Sequence, residues 1–146
     1  GTLHASLQGV GMDVVASSDN VLRGGLTPKH VDVPELLRVL DFTPVSDVRV
    51  VTRCEGPETL YQTPTAEFAA SVLSLDGGHL GHEVDAPSRH AGPQILVCTR
   101  GAVTVRAKSG QVHLHRGAAA WVAADDGPIR LQADEPSAVF RAMVGL

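Results

Sequence analysis

Thr99-Arg100-Gly101-Ala102-Val103-Thr104-Val105, followed by Leu114-His115-Arg116-Gly117-Ala118-Ala119-Ala120-Trp121-Val122, sets a strand, a glycine turn, a strand, a second glycine and a further strand in quick succession. Glycine at the breaks lets the backbone turn where a Cβ would be hindered. The pattern extends outward over most of the chain. Strands are expected at 48–53, 59–62, 67–75, 94–99, 102–107, 111–114, 118–123, 129–132 and 138–144, separated by glycine, proline and aspartate. Many short strands with regular turns indicate a sandwich or barrel, and the jelly roll is the commonest two-sheet form. Trp121, on an alternating apolar strand, reads as core. The stretch 76–93, where Gly, His, Asp and Pro accumulate, reads as a flexible linker with Glu83 and Asp85 in loop.

Toward the N-terminus the pattern changes. Residues 3–8 and 10–16 are short β-compatible segments separated by Gly9 and Gly11, which reads as two strands around a turn or bulge. Leu3, Ala5 and Leu7 alternate with His4, Ser6 and Gln8, placing His4 on a polar face where a pocket could lie. Asp32-Val33-Pro34-Glu35 has the spacing of a helix capping box, with proline tolerated in the first turn. A short helix follows from it, and Val33, Leu36, Leu37 and Leu40 fall on one face that would seat the helix against a sheet.

With 146 residues, 43% hydrophobic and 19% charged, the chain has the size and composition of one globular domain with a proper core. A net charge of -4 with scattered arginines forms no basic stripe, so neither nucleic acid nor an anionic membrane is an expected partner. No apolar run reaches the length of a membrane span, and no secretory leader is recognisable, so a cytoplasmic protein is expected. Cys54 and Cys98 lack the close spacing of zinc or redox motifs and read as reduced, packed thiols.

The stretch with the richest chemistry is Ser18-Asp19-Asn20-Val21-Leu22-Arg23-Gly24-Gly25-Leu26-Thr27-Pro28-Lys29. It places two cations and two glycines in one short polar loop. A guanidinium offers forked donors to phosphate or carboxylate oxygens, and an ammonium adds a compact second charge. The chain has ten arginines but only two lysines, Lys29 and Lys108, so a lysine kept here hints at a specific need. Asp19 is placed to position Arg23, although aspartate before asparagine is equally a turn former.

From Leu3 to about Phe42 the sequence resembles type I mannose-6-phosphate isomerase, a zinc-dependent enzyme built from cupin-like β-barrels. The resemblance is carried by Leu3-His4-Ala5, Gly9, Ser18-Asp19-Asn20-Val21-Leu22-Arg23, Gly25-Leu26-Thr27-Pro28-Lys29 and Asp32-Val33-Pro34-Glu35-Leu36-Leu37. Beyond Phe42 the chain resembles a generic C-terminal cupin-type sandwich. The resemblance implies a mainly β, cupin-like jelly-roll sandwich with one short helix. It divides the chain into 1–31, the last strands and active-site loop of a catalytic cupin domain; 32–42, a connecting helix; and 43–146, the C-terminal sandwich.

It also implies chemistry. His4 corresponds to a zinc ligand, and the family's remaining ligands, a glutamine, a histidine and a glutamate, lie upstream of any motif in this sequence. The chain is therefore expected to be a C-terminal piece of an isomerase, inactive by itself, with the missing N-terminal part as its partner. Arg23 corresponds to the active-site arginine, Lys29 is implied to hold phosphate or relay a proton, and a sugar phosphate is the implied substrate. Two positions depart from the family pattern. Ser6 stands for a tyrosine and Asp13 for a glutamate, which draws the charge back by about one methylene; a misplacement near 1 Å can cost about 10²-fold where geometry is tight.

His79, His82, His90 and the pair His113 and His115 also invite a metal reading. The one-residue spacing puts His113 and His115 on one side of a strand. Without an acidic partner in place, a solvated pair is the better reading. A different class of function, a non-catalytic cupin-type module binding a sugar phosphate or a protein, stands beside the enzyme, and the upstream sequence distinguishes them.

Overall fold

A computed structural model of the chain describes residues 2–15, 17, 21–76 and 92–145, together with the backbone of 82–86. The chain divides into two units, Gly1–Arg49 and Val50–Leu146.

The second unit is a sandwich of two antiparallel sheets. Its strands are β1 (Thr52–Glu55), β2 (Glu58–Tyr61), β3 (Ala69–Leu75), β4 (His82–Ala86), β5 (Gln94–Arg100), β6 (Ala102–Ala107), β7 (Gly110–His115), β8 (Ala119–Val122), β9 (Ile129–Ala133) and β10 (Ser137–Met143). One sheet has the order β1-β2-β3-β10-β5-β8 and the other β4-β9-β6-β7. Every strand span expected between 48 and 144 overlaps an observed strand, although the first begins only at Thr52. The mainly β expectation with one short α-helix is met.

One strand was not expected. β4 lies inside the stretch read as a linker, and carries Glu83 opposite Gln132 and Asp85 opposite Arg130 on β9. Its sequence, His-Glu-Val-Asp-Ala, has no strong β signal of its own. The ladder with β9, far along the chain, supplies the backbone hydrogen bonds that make it a strand.

Leu73, Leu96, Val103, Leu114, Leu131 and Val139 come from both sheets and anchor one apolar core between them. The glycine turn at Gly101 is required by space as well as by conformation. Its φ is +69°, and a Cβ there would meet Ser137 Oγ and sit 2.8 Å from the Pro136 carbonyl oxygen. At one end of the inner face the core turns polar. Arg141, fully buried, donates from Nη1 to Glu58 Oε1 at 3.0 Å and from Nε to Gln94 Oε1 at 2.7 Å. Ser71 Oγ donates to the same Glu58 oxygen at 2.6 Å. The four residues sit on β2, β3, β10 and β5, neighbouring strands, so the network ties their register together.

Two expectations about packing are overturned. Trp121 is 65% exposed because β8 turns Ala120 and Val122 inward and leaves the alternate position facing out at a sheet edge. Cys98 is buried, and burial pushes its thiol pKa up, but Cys54 is exposed on the edge strand β1; both are free thiols.

The first unit contains α1 (Val33–Val39). The expected cap is present: Asp32 Oδ1 accepts from the Glu35 backbone N–H at 3.0 Å, and Pro34 sits in the first turn. The capping box is not closed, because the Glu35 carboxylate accepts instead from Arg38 Nε at 2.7 Å. That bond holds the Glu35 carboxyl below its ordinary pKa and raises the arginine. No residue of α1 is buried, and the described residues of this unit include no strand that could seat it. Residues 3–8 and the described part of 10–16 form no strand. Their alternation is compatible with a ladder, but no described segment of this unit pairs with them, and Leu7 and Val10 stand in solvent.

Candidate functional site

The first unit gathers its two ends around one cavity of about 310 Å³, lined by Leu3 and His4 from the N-terminal segment, Val21, Leu22 and Gly24 from the polar loop, and Leu36, Val39 and Leu40 from the helix and its cap, with Thr2 at the margin. The apolar helix positions Leu36 and Leu40 therefore form a cavity wall, whereas Val33 and Leu37 of the same expected face are exposed. His4 is exposed, with Nδ1 3.2 Å from the Thr2 carbonyl oxygen.

Arg23 is half-buried between two residues that line the cavity, but does not itself line it. Lys29 is exposed, and its backbone N–H donates to Thr27 Oγ1 at 3.2 Å. The fold brings His4 to the flanks of Arg23, and leaves Lys29 on the same loop away from the cavity lining. Asp19 lies outside the described residues. Ser6 and Asp13 are both exposed.

The two glycines beside Arg23 play different parts. Gly25 has φ +144°, which a side chain disfavours, whereas a Cβ on Gly24 would make ordinary contacts with Leu36 and Leu3. The next residue, Leu26, is the one non-glycine with positive φ among the described residues, at +55°, and is almost wholly exposed. A left-handed leucine costs on the order of 1 kcal/mol, and such strain clusters where a loop is shaped for a ligand. Sequence reasoning missed Leu26: leucine carries no turn signal, and only the adjacent Gly25 points to the bend.

Among the described residues no three His, Cys, Asp or Glu side chains converge to hold a metal. One imidazole cannot close a tetrahedral zinc site, so the donors present do not by themselves fit the metal. In the second unit His113 and His115 lie on the outer face of the four-stranded sheet, opposite Thr104 and Ala102, and both are exposed. His113 Nδ1 is 3.3 Å from Thr104 Oγ1, the arrangement of a hydrogen-bonded surface histidine. The side chains of His79, His82 and His90 lie outside the described residues.

No protein-family model matches the chain. Relatives do. The chain is 35% identical over 133 residues to mannose-6-phosphate isomerase of Escherichia coli (strain K12), covering 90% of the chain and 32% of that protein. It is 31% identical over 147 residues to mannose-6-phosphate isomerase of Bos taurus, covering 95% of the chain and 34% of that protein. A crystal structure of the Salmonella typhimurium enzyme bound to substrate and zinc superposes with a TM-score of 0.74 at 29% identity, over 90% of this chain and 32% of the other. The chain is thus homologous, over nearly its whole length, to the C-terminal portion of mannose-6-phosphate isomerase, and spans about a third of the length of these relatives.

Proposed function

We propose that the chain supplies the C-terminal third of a zinc-dependent mannose-6-phosphate isomerase and one wall of its active site. The observation that carries the proposal is the ordered string from His4 through Arg23 to Lys29, in which His4 lines a cavity and Arg23 sits between two of its lining residues, Leu22 and Gly24.

The reaction interconverts the C1 aldehyde of mannose 6-phosphate and the C2 ketone of fructose 6-phosphate. A proton moves between adjacent carbons, and negative charge develops on an enediolate oxygen. A guanidinium fixed nearby is always charged, so Arg23 suits the role of orienting the sugar or stabilising that oxygen. Lys29 suits the phosphate or a proton relay, and Asp19 a sugar hydroxyl or the arginine. His4 would contribute one zinc ligand, the others coming from outside this chain; no step is routed through the metal here.

In the complete enzyme 1–31 would close the catalytic barrel, 32–42 would connect, and 43–146 would form the C-terminal sandwich. A cytoplasmic setting goes with this reading. No helix of the described residues is long and apolar enough to cross a membrane.

The test is turnover of mannose 6-phosphate. The 146-residue chain alone is expected to show negligible activity and substoichiometric zinc, since a single donor is left. In a complete enzyme containing this chain, Arg23→Ala should lower kcat by on the order of 10²-fold, the scale of losing one fixed electrostatic stabiliser, with the denaturation midpoint unmoved. Near-normal turnover would remove Arg23 from the mechanism.

A further inference from the structure

Among the described residues, the outward face of the six-stranded sheet carries no charged residue except Arg100, at the bulged end of β5. Register establishes the face: Trp121 lies opposite Ile95, Val97 opposite Phe140, Phe140 opposite Val72, and Ala70 opposite Tyr61. Tyr61 stacks on Phe140 with ring centroids 6.1 Å apart. Ile95 and Trp121 are 44% and 65% exposed, and Tyr61, Val72, Val97 and Phe140 are half-buried. The opposite sheet follows the usual rule for a sandwich. Its outward positions include Thr104, Arg106, Gln111, His113, Arg130 and Gln132, all polar.

A sheet face that meets water alternates apolar-in with polar-out. The outward face of the six-stranded sheet is instead largely apolar, which is the pattern of a sheet covered on that side as well. Six strands at about 4.8 Å spacing, each some six residues long, present on the order of 500 Å². That is the size of the largest apolar patch on an ordinary monomer, a size class that is often functional. It is small for an obligate dimer, and matches one side of a domain interface within a single chain, which totals about 600–1,500 Å². The relatives are about three times the length of the matched segment, so a covering domain is available in them.

We infer that this outward face is the docking surface for the part of a mannose-6-phosphate isomerase that lies outside this chain. The inference rests on the isomerase reading, and identifies which of the two sheet faces that part occupies. Its contact surface over the middle of the sheet is expected to be apolar and uncharged, because a charge buried there would find no partner.

Two native side chains report on the face. Cys54 lies on β1 opposite Thr59, which lies opposite Val72, so its thiol belongs to the same outward face. Trp121, the one tryptophan of the chain, lies on β8 at the other edge. The two edges are about 24 Å apart, so protection of both requires a cover that spans the sheet. Cys98 is buried and serves as the internal control.

The experiment grafts the whole chain in place of the corresponding third of the Escherichia coli enzyme. Cys54 alkylation and hydroxyl-radical oxidation of Trp121 are then read peptide by peptide, in the graft and in the free chain, alongside mannose 6-phosphate turnover. Protection of both residues by roughly tenfold or more in the graft, lost with Phe140→Glu in the middle of the face, supports the inference. Turnover with both residues as reactive as in the free chain overturns it and leaves the isomerase reading standing. Protection without turnover supports the surface and counts against the catalytic reading. Accessible residues without turnover sink both. If the free chain protects Cys54 and Trp121 as its own concentration rises, the occupant is a second copy and the inference fails.

Discussion

The two units use their apolar residues differently. In Val50–Leu146 the leucines and valines of alternating strands fill a core: Leu73, Leu96 and Leu131 are fully buried. In Gly1–Arg49 no described residue is buried, although Leu3, Leu7, Val10, Leu26 and Leu37 are as apolar as any in the sandwich. Folding of the second unit accounts for its own sequence. For the first unit it does not, which is consistent with the proposed role of its residues at a site.

The largest effect that would test this contrast is in the buried polar row. Arg141→Ala breaks the buried ion pair with Glu58 and removes the donor to Gln94, and should cost about 3–5 kcal/mol. Against a total of about 5–15 kcal/mol for a domain, the urea midpoint of the sandwich should fall sharply. Replacing both members, with Arg141→Met and Glu58→Leu, should cost less than the single change, because the two buried charges leave together. A double variant as damaged as the single one would show that the row does more than satisfy itself.

Next in size is the paired comparison of leucines. Leu131→Ala opens a hole between the sheets and should destabilise the second unit by about 2–5 kcal/mol, whereas Leu37→Ala, at a position 57% exposed, should change stability by about 0.5 kcal/mol or less. Equal losses in urea denaturation would erase the distinction between the units.

The smallest effects are local to α1. Asp32→Ala removes the cap to the Glu35 amide and should cost about 1 kcal/mol of helix stability, read from the chemical shifts of 33–39, with the midpoint of the sandwich unchanged. Acid should act in the same place. The Arg38 hydrogen bond holds the folded pKa of Glu35 below its ordinary value, so the helix gains from it above about pH 4.3 and loses that gain as pH falls through the lowered value. Glu35→Gln should remove this acid dependence of the 33–39 shifts; an unchanged profile would assign it to another group.

Much of the sandwich was legible in the chain because strand alternation and glycine turns are local signals. Gly101 is the clearest case: its place between two alternating runs predicts the turn, and its +69° φ against Ser137 and Pro136 explains why no other residue fits. The cap at Asp32 was legible for the same reason. Strand β4 was not, since its ladder partner lies far along the chain. Trp121 was misjudged because alternation tells which residues share a face but not which face is inward on an edge strand. The site shows the same division. His4, Arg23 and Lys29 stand out by type and order, whereas the wall from Leu36 and Leu40 and the left-handed Leu26 do not.

The sequence by itself determined most of the β architecture, the capped helix and the short string of polar and charged residues proposed for the site, because each depends on neighbours within a few positions. Only the tertiary structure decided which loop residues meet His4 at the cavity, which polar residues are buried together around Arg141, and that the outward face of the six-stranded sheet is largely apolar. These depend on register and burial, which arise when strands distant in sequence pair and exclude water from one side of each other.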